Sequence, residues 1–367
     1  MLKYWLGFNK VSGVGAKKLR ALLDVFGDVE TAWHAPRREL VEVGLDQRAL
    51  RNLLAARDSL DLDAELARLQ ESGVRALTWD DPDYPASLRR IDAPPPVLFL
   101  RGELLPADEW AVAVVGTCRS TDYDREVTRK LTSDLARAGV VIVSGLARGI
   151  DAVAHRAALK AGGRTIAVLA NGLDQIYPPE HRELAAEIIQ NGALISEQPL
   201  GAPPDSRNFP ARNRIISGLS LGVLVVACPW NSGAIITAKQ ALEQGREVFA
   251  VPGGILSRNS EGPNRLIKDG ATPVTEANDI LEALNLNQVA QYVDARLALP
   301  EDPVEAQLLE LLGPEPRHVD DIRREADLPV QQVSSALAMM ELKGMARSVG
   351  GMKYVIAREP GPVYKID

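Results

Sequence analysis

The stretch VIVSGLARGIDAVAHRAALK, residues 141–160, decides the fold class. It continues a β-branched run, Val140–Val143, through the loop Ser144–Asp151 into the helical pattern Ala152–Ala161. A β-branched run predicts a strand, and apolar residues at three- and four-residue spacing predict a helix. Glycines in the loop between them permit close approach of the backbone to a ligand. The stretch therefore predicts a strand–loop–helix unit with a binding loop.

The same order of strand and helix recurs on both sides of this stretch. Helical patterns such as Tyr123–Ala138 alternate with predicted strands. These strands are Ala111–Val115, Val140–Val143, Thr165–Leu169, Ala193–Ser196, Leu221–Ala227 and Glu247–Val251. Such alternation predicts an α/β fold, with a mostly parallel, Rossmann-like sheet and helices on both faces. We expect this domain to span residues 76–285.

The chain before this domain reads as a small helical domain over residues 1–75, with helical spacing at Ala16–Phe26 and Gln47–Leu69. The segment GVGAKKLRALL, residues 13–23, resembles the hairpin of SAM and helix-hairpin-helix modules, whose helix N-terminus can hold a phosphate. A plain turn followed by a packing helix fits the segment equally well. A proline-rich connector, residues 80–96, then leads into a short predicted strand, Val97–Leu100.

The chain after the α/β domain reads as a linker, residues 286–303, and a winged-helix-like domain, residues 304–367. Three helical patterns, Glu305–Leu312, His318–Glu325 and Val330–Lys343, precede a predicted hairpin. A recognition helix that reads DNA usually presents Arg or Lys, whereas the third helix offers glutamines and serines. The pattern favours protein contact over DNA contact for this domain.

Composition narrows the class of protein. The 367 residues carry a net charge of −7 and the sequence pI is near 5.4, which argues against a uniformly positive surface. No apolar run is long enough to span a membrane and no secretory signal is evident, so we expect a cytoplasmic protein. Two cysteines and four scattered histidines supply neither a disulfide framework nor a metal-ligand pattern. We predict no metal and no cofactor.

Cations are concentrated around the segment FPARNRIISGLS, residues 209–220. From Ser206 to Leu242 the chain has no Asp or Glu, and the window holds four cations, Arg207, Arg212, Arg214 and Lys239. An acid-free window of this length predicts a shared anion site. Phe209 adds an aromatic face, although a core position at a helix start also fits this residue. Arg214, which precedes an apolar pair, fits a structural ion pair equally well.

Two loops follow predicted strands and are expected to face one ligand. They are Gly116–Ser120 and Ser144–Asp151, and in an open α/β sheet ligands bind outside the carboxyl ends of the strands. Neither loop carries the GxGxxG fingerprint or the GK[ST] ending of a P-loop, so neither dinucleotide binding nor triphosphate hydrolysis follows. We interpret Asp151 as a residue at a helix start that orders its loop.

Seven segments resemble, in order, the DNA-processing protein A family, DprA, also called Smf. They are VAVVGTCRS, VIVSGLARGIDAVAH, TIAVLANGLDQIYPPEH, LISEQPLG, FPARNRIISGLS, SGAIITAKQALEQGREVFAVPG and GPNRLIKDGA. The resemblance implies a non-enzymatic protein of natural transformation that binds single-stranded DNA without sequence preference. It further implies a homodimer that loads RecA recombinase onto DNA covered by single-strand-binding protein.

Carried onto this chain, the resemblance and the anion-site reasoning predict one set of DNA-binding residues. They are Gly116, Arg119, Ser144, Gly145, Arg148, Gly149, Arg207, Phe209, Arg212, Arg214 and Lys239. The chain departs from the family pattern at Cys118, where members often have arginine, and at Ser206, where many have lysine. We therefore expect Arg119 to carry its phosphate contact alone and Arg207 to substitute for the lysine.

Two other functions fit parts of the sequence. Val251–Gly254 is similar to the PGGxGT loop of lysine-decarboxylase-like phosphoribohydrolases, which cleave nucleoside monophosphates, but the following Gly-Thr is absent and Glu261 is displaced. A pure adaptor without its own grip on DNA is the other alternative, and the acid-free window argues against it. Duplex binding by the N-terminal hairpin or the winged helix is compatible with the main reading.

Overall fold

The computed structural model describes residues 1–284, 286, 302–312, 316–342 and 346–356. The chain divides into two compact units, Met1–Asn287 and Gln288–Asp367. Most of the predicted linker 286–303, and residues 357–367 of the predicted C-terminal domain, lie outside the described residues.

The first unit opens with short helices that precede the sheet. They are α1 Leu2–Lys10, α2 Ala16–Phe26, α3 Val29–His34, α4 Arg37–Glu42, α5 Gln47–Ser59 and α6 Leu62–Glu71. The helix expected over Gln47–Leu69 is interrupted, because the Asp61 side chain accepts hydrogen bonds from the backbone N–H groups of Asp63 and Ala64 and so starts a new helix. The resemblance to SAM and helix-hairpin-helix modules stays a prediction.

A nine-stranded sheet forms the centre of the first unit as the structure describes it. Its strands are β1 Arg75–Thr78, β2 Val97–Gly102, β3 Ala111–Val115, β4 Val141–Ser144, β5 Thr165–Leu169, β6 Gly192–Ser196, β7 Gly222–Val225, β8 Glu247–Ala250 and β9 Thr272–Pro273. Their order is β1-β2-β6-β5-β4-β3-β7-β8-β9; the run from β6 to β9 is parallel, and β1 and β2 join its edge antiparallel. The predicted mostly parallel, Rossmann-like sheet is confirmed.

Helices connect and cover these strands. They are α7 Ala86–Arg89, α8 Asp122–Arg137, α9 Ile150–Lys160, α10 Arg182–Gln190, α11 Asn208–Gly218, α12 Gly233–Glu243, α13 Glu261–Lys268 and α14 Ala277–Ala283. Strands β3, β5, β6 and β7 are buried along their whole length, as near-continuous apolar runs predict for a sheet covered on both faces. The N-terminal helices share this apolar core, so they belong to the same unit.

The chain reverses its direction of progress across the sheet at β3. From β3 it proceeds through β4 and β5 to β6 on one side, and then continues with β7 and β8 on the other side of β3. Connections that leave neighbouring strands in opposite directions open a crevice at the carboxyl ends of those strands. The fold therefore places a crevice beside the loops that follow β3, β4 and β7.

The second unit has the helix and strand order of a winged helix. Its elements are α15 Pro303–Leu311, β10 Arg317–His318, α16 Val319–Ala326, α17 Val330–Leu342, β11 Ala346–Ser348 and β12 Lys353–Ile356. The strands pair antiparallel in the order β10-β12-β11 around a separate apolar core. Helix α17, in the position of a recognition helix, exposes Gln331, Gln332 and Ser335. This agrees with the predicted architecture.

None of the helices among the described residues is long and apolar enough to cross a membrane. Nor do the His, Cys, Asp and Glu side chains of these residues form a group placed to hold a metal ion.

Candidate functional site

A cavity of about 560 Å³ occupies the crevice beside β3. Four loops line it, namely those that follow β3, β4, β5 and β7, and the start of α11 closes one side. Helices α9 and α12 both begin at this cavity. Because the N-terminal end of a helix carries partial positive charge, two helix ends favour an anion here.

The loops after β3 and β4 meet so closely that a glycine is required. Gly149 has a positive φ of 75°, and a Cβ atom on it would lie 2.2 Å from the Thr117 carbonyl oxygen. The N–H of Ile150 donates to that same carbonyl at 3.2 Å, which fastens the two loops together. The predicted pairing of these loops around one site is therefore present in the structure, and Gly149 contributes through its backbone.

At the back of the cavity, two buried charged side chains hold the backbone of one residue, Gly145, from both sides. The Gly145 N–H donates to Asp151 Oδ2 at 3.1 Å, and Arg212 Nη1 donates to the Gly145 carbonyl oxygen at 2.9 Å. Asp151 also accepts from the Ala147 N–H, and Arg212 also donates to the Val168 carbonyl oxygen. Asp151 thus orders its loop as the sequence indicated, and Arg212 holds the loop from the other side.

Burial dominates the electrostatics of this pair. Arg212 is 5% exposed, and loss of solvation lowers the pKa of its guanidinium to about 10, against the opposing effect of Asp151. Burial raises the pKa of Asp151, while Arg212 and the backbone donors act in the opposite direction. A charged group in such a place is retained only when its donors or acceptors are satisfied by protein. Arg212 meets this condition largely through two backbone carbonyls.

These contacts correct the predicted role of one side chain and add a role for another. Ser144 is fully buried and its hydroxyl donates to the Val114 carbonyl oxygen at 2.7 Å, so its side chain is not available to a ligand. Arg212 lines the cavity; its Nη1 donates to the carbonyl oxygens of Gly145 and Val168 and its Nε donates to Asn213 Oδ1, whereas its Nη2 makes no hydrogen bond among the described residues. Ser144 is the last residue of β4 and Arg212 packs against the end of β5, where burial decides the side-chain direction.

The front of the cavity carries the exposed cations. Arg119 and Arg148 both line it from exposed positions. Arg148 forms an ion pair with Glu180, which also lowers the pKa of that carboxyl. Among the described residues, no carboxylate forms an ion pair with Arg119. Arg119 is therefore the rim cation most available to an incoming anion.

The remaining predicted cations lie outside the cavity lining. Arg207 pairs with Asp205 at 2.6 Å, and Arg214 pairs with the largely buried Glu197 at 2.6 Å. Lys239 is an exposed residue of α12, and its Nζ lies 5.8 Å from the Trp230 ring centroid. The window has no acidic residue in sequence, but Asp205 and Glu197, which precede it in the chain, pair with two of its arginines in the folded protein. The alternative of a structural ion pair holds for Arg214.

Two aromatic rings stand at the cavity, of which the sequence argument singled out one. Phe209 is half-buried, and its ring centroid lies 6.0 Å from that of Tyr177, which follows β5. Tyr177 and Pro178 line the cavity and were not predicted, whereas Ser232 and Thr237 come from the glycine-containing turn after β7, which the sequence places at the same rim. Their signal was available in principle, because their loops follow predicted strands of the same sheet.

The loop considered for an enzymatic alternative takes no part in this cavity. Val251–Gly254 and Glu261 are not among the lining residues, and Glu261 is exposed at the start of α13. The carboxylate that does line the cavity, Asp151, is engaged by backbone N–H groups.

The fold defines a Rossmann-like α/β protein whose open sheet has an arginine-lined cavity at its switch point and whose chain also carries a winged-helix unit. The family described as "DNA recombination-mediator protein A" matches residues 75–285, and the "DprA winged helix domain" matches residues 294–352. The chain belongs to this family, DprA, also called Smf.

Individual relatives agree with this assignment. The protein Smf of Escherichia coli is 41% identical, over 91% of this chain and 93% of its own. The structure of DprA from Streptococcus pneumoniae matches with a TM-score of 0.69 at 34% identity, covering 77% of this chain and 98% of that one. DprA from Helicobacter pylori, whose structure concerns its mode of binding single-stranded DNA, matches with a TM-score of 0.52 at 31% identity, over 58% and 97%.

Proposed function

We propose that this protein binds single-stranded DNA in the cavity beside β3, without sequence preference, as a DNA-processing protein of natural transformation. The observation that carries the proposal is the cavity itself. Exposed Arg119 and Arg148 stand at its front, two helices begin at it, and aromatic rings form one wall. Proteins hold single-stranded DNA with this combination: positive charge follows the phosphate backbone, and aromatic side chains stack on the bases.

The proposed contacts divide by type. Arg119 and Arg148 donate to phosphate oxygens, which suits arginine because its planar fork makes paired hydrogen bonds and stays charged. Gly116 and Gly145 line the cavity and let the backbone approach the DNA strand, Gly149 lets the two loops meet, and Phe209 belongs to the stacking wall. Lys239 and Arg207 extend the positive surface beyond the cavity. Arg212 and Ser144 act from behind by holding the loops.

Family membership supports the biological setting. DprA from Helicobacter pylori is described in a single-stranded-DNA binding mode, and this chain shares 31% identity with it. We propose that this chain likewise grips incoming strands in the cytoplasm. We further propose that it loads RecA recombinase onto DNA from which single-strand-binding protein must be displaced. A pull-down with RecA, and a strand-exchange assay on DNA covered with single-strand-binding protein, test these two partners.

We propose that the protein is not an enzyme. The carboxylate in the cavity lining, Asp151, is buried and accepts two backbone hydrogen bonds, so it serves the loop rather than a reacting group. The loop similar to that of phosphoribohydrolases lies outside the lining. Incubation with nucleoside monophosphates is expected to release no free base.

Homodimerisation is a further part of the proposal. The apolar run Leu219–Val226 is largely buried and contains β7, so it belongs to the core and is not offered to a partner. By contrast, the loop after β8 presents Ile255 and Leu256, which are 93% and 97% exposed, and α12 exposes Leu242. Exposed apolar residues of this kind mark protein contacts. Light scattering of an Ile255→Asp, Leu256→Asp variant is expected to report a monomer, whereas an unchanged dimer removes this loop from the interface.

The experiment that tests DNA binding is fluorescence anisotropy of a labelled oligo-dT across a salt series. The wild type is expected to bind, and its affinity is expected to fall linearly on a log–log plot of affinity against salt. Arg119→Ala is expected to reduce the slope by about 0.7, the contribution of one phosphate on a single strand.

Arg48→Ala is the matched control, because Arg48 is an exposed arginine on α5 that does not line the cavity. It is expected to leave affinity and slope unchanged. Absence of wild-type binding at low salt, or equal effects of the two substitutions, contradicts the proposal.

A further inference from the structure

Tyr177 stands in front of Phe209 at the cavity and is the more open of the two rings. Its side chain is 41% exposed, whereas Phe209 is half-buried, and the ring centroids are 6.0 Å apart at an interplanar angle of 55°. Behind Phe209 lies the buried guanidinium of Arg212, with Cζ 5.9 Å from the Phe209 centroid. The three side chains form a layered wall, with Tyr177 at its solvent side.

The loop that carries Tyr177 is held by residues other than Tyr177. Asn171 Nδ2 donates to the carbonyl oxygens of Gly172 and Gln175, at 3.0 and 2.7 Å. Asp174 accepts from the Gly201 N–H at 2.9 Å and pairs with Arg68. Within the described part of the chain, the Tyr177 hydroxyl makes no hydrogen bond. Tyr177 is therefore held in place without taking part in the hydrogen bonds that hold it.

We propose that Tyr177 is the residue on which a base of the bound strand stacks, and that Phe209 supports it from behind. This inference rests on the proposed function and deepens it, because it names the side chain that contacts a base. An aromatic face stacks on any base, since every base has a π-face, and so gives grip without sequence preference. Arg148 lines the same cavity and supplies the charge for the adjoining phosphate.

The layered arrangement makes Tyr177, and not Phe209, the ring that is more open to a base. Phe209 presents less surface, because Arg212 lies on one side and Tyr177 on another. Tyr177→Ala is therefore expected to lower the affinity for oligo-dT by more than the loss of base contact with Phe209 would. Since stacking on one base is worth about a five- to hundredfold change in affinity, Tyr177→Ala is expected to weaken oligo-dT binding by about tenfold.

The test compares Tyr177→Ala, Tyr177→Phe and Tyr177→Trp by anisotropy, on oligo-dT and on an abasic oligonucleotide of the same length. Tyr177→Phe is expected to bind as the wild type does, and Tyr177→Trp at least as tightly. The salt slope is expected to stay constant in all three, because no phosphate contact is removed. On the abasic strand the alanine variant and the wild type are expected to bind equally.

Tyr123→Ala is the matched control, since Tyr123 is 67% exposed on α8 and does not line the cavity. If wild type binds oligo-dT and Tyr177→Ala binds it equally well, the stacking role is wrong while the proposed function stands. Equal weakening of Tyr177→Ala on the abasic strand overturns the inference as well. If wild type does not bind, the proposed function fails first.

Discussion

Two layers of the same cavity use arginine in opposite ways. In the buried layer, Arg212 is 5% exposed and donates to the carbonyl oxygens of Gly145 and Val168. In the exposed rim, Arg119 points to solvent with no carboxylate paired to it among the described residues, and Arg148 is paired with Glu180. The inner layer fixes the loops, and the outer layer is left to meet a ligand.

The difference teaches that a cation in a binding motif need not bind the ligand. Arg212 follows Phe209 in the acid-free window, yet its Nη1 donates to two backbone carbonyl oxygens. A buried arginine bonded in this way gives a rigid loop, and a rigid loop lowers the ordering cost when a DNA strand binds. Substitutions in the two layers are therefore expected to differ, most strongly in their effect on stability.

Removing the inner arginine is expected to destabilise the protein most. Arg212→Met leaves two buried carbonyls without their donor and Asp151 without a compensating charge. Loss of one partner from such a buried arrangement typically costs about 3–5 kcal/mol in the free energy of unfolding. Urea denaturation followed by circular dichroism measures this change.

The same substitution at the rim serves as its control. Arg119→Met removes an exposed side chain without an ion-pair partner in the described chain, so its effect on unfolding is expected to stay within about 0.5 kcal/mol. Similar losses for the two variants erase the distinction between the layers.

A buried histidine of α9, outside the cavity lining, is also expected to make stability sensitive to acid. His155 is fully buried, its Nδ1 lies 2.7 Å from Thr165 Oγ1, and burial lowers its pKa from an ordinary 6.5 to about 3. Between these two pKa values His155 binds a proton only in the unfolded chain. The stability that comes from keeping His155 neutral is therefore fully present above pH 6.5 and is lost as the pH falls. By pH 4.5 the loss is about 2–3 kcal/mol.

His155→Gln is expected to remove this part of the pH dependence. Urea denaturation at pH 7 and pH 4.5 compares the two proteins. The free energy of unfolding of the wild type is expected to fall by more than that of the variant. An equal fall shows that His155 does not titrate differently on folding.

Replacement by lysine separates positioning from charge. Arg212→Lys keeps a positive charge but loses the Nε–H that donates to Asn213 Oδ1 and the planar guanidinium that directs Nη1 at the two carbonyl oxygens, so the loop after β4 is expected to loosen. We expect about five- to tenfold weaker oligo-dT binding with an unchanged salt slope. Arg119→Lys is expected to stay within about twofold, because a single phosphate accepts either cation. Because lysine keeps the charge, the salt slope of Arg212→Met decides the remaining question: a slope reduced by about 0.7 implies that Arg212 itself meets a phosphate.

The smallest expected effect is a gain in DNA affinity from a substitution in the exposed rim. Glu180→Gln removes the carboxylate paired with Arg148 and is expected to tighten oligo-dT binding by about two- to fivefold, most clearly at low salt. Glu187→Gln, on the exposed face of α10, makes the same change in net charge away from the cavity. If the two variants bind alike, the ion pair does not restrain Arg148.

The architecture was predictable from the sequence because strand and helix patterns are local. The runs of β-branched residues placed β3 to β8, and the Gly-containing loops placed the site at their carboxyl ends. Strand β1 was missed, since its four residues, Arg75–Thr78, form an edge that pairs antiparallel with β2 and carries little pattern of its own. The break between α5 and α6 depends on one aspartate cap.

The sequence predicted several of the residues that line the site, but not the directions in which their side chains point. Arg119, Arg148 and Phe209 do line the cavity, together with Arg212. The partners that redirect the other cations come from outside the segment, as Glu197 does for Arg214, and linear spacing does not reveal such pairs. Tyr177 was overlooked because its loop follows β5 and joins the site only through the order of the strands.

A crystal structure of the protein with bound oligo-dT tests the central claim most directly. The division into layers predicts phosphate oxygens within hydrogen-bonding distance of Arg119 and Arg148, while Arg212 remains on the carbonyl oxygens of Gly145 and Val168. DNA bound to α17 instead of the cavity, or an Arg212 side chain turned outward onto a phosphate, contradicts this division.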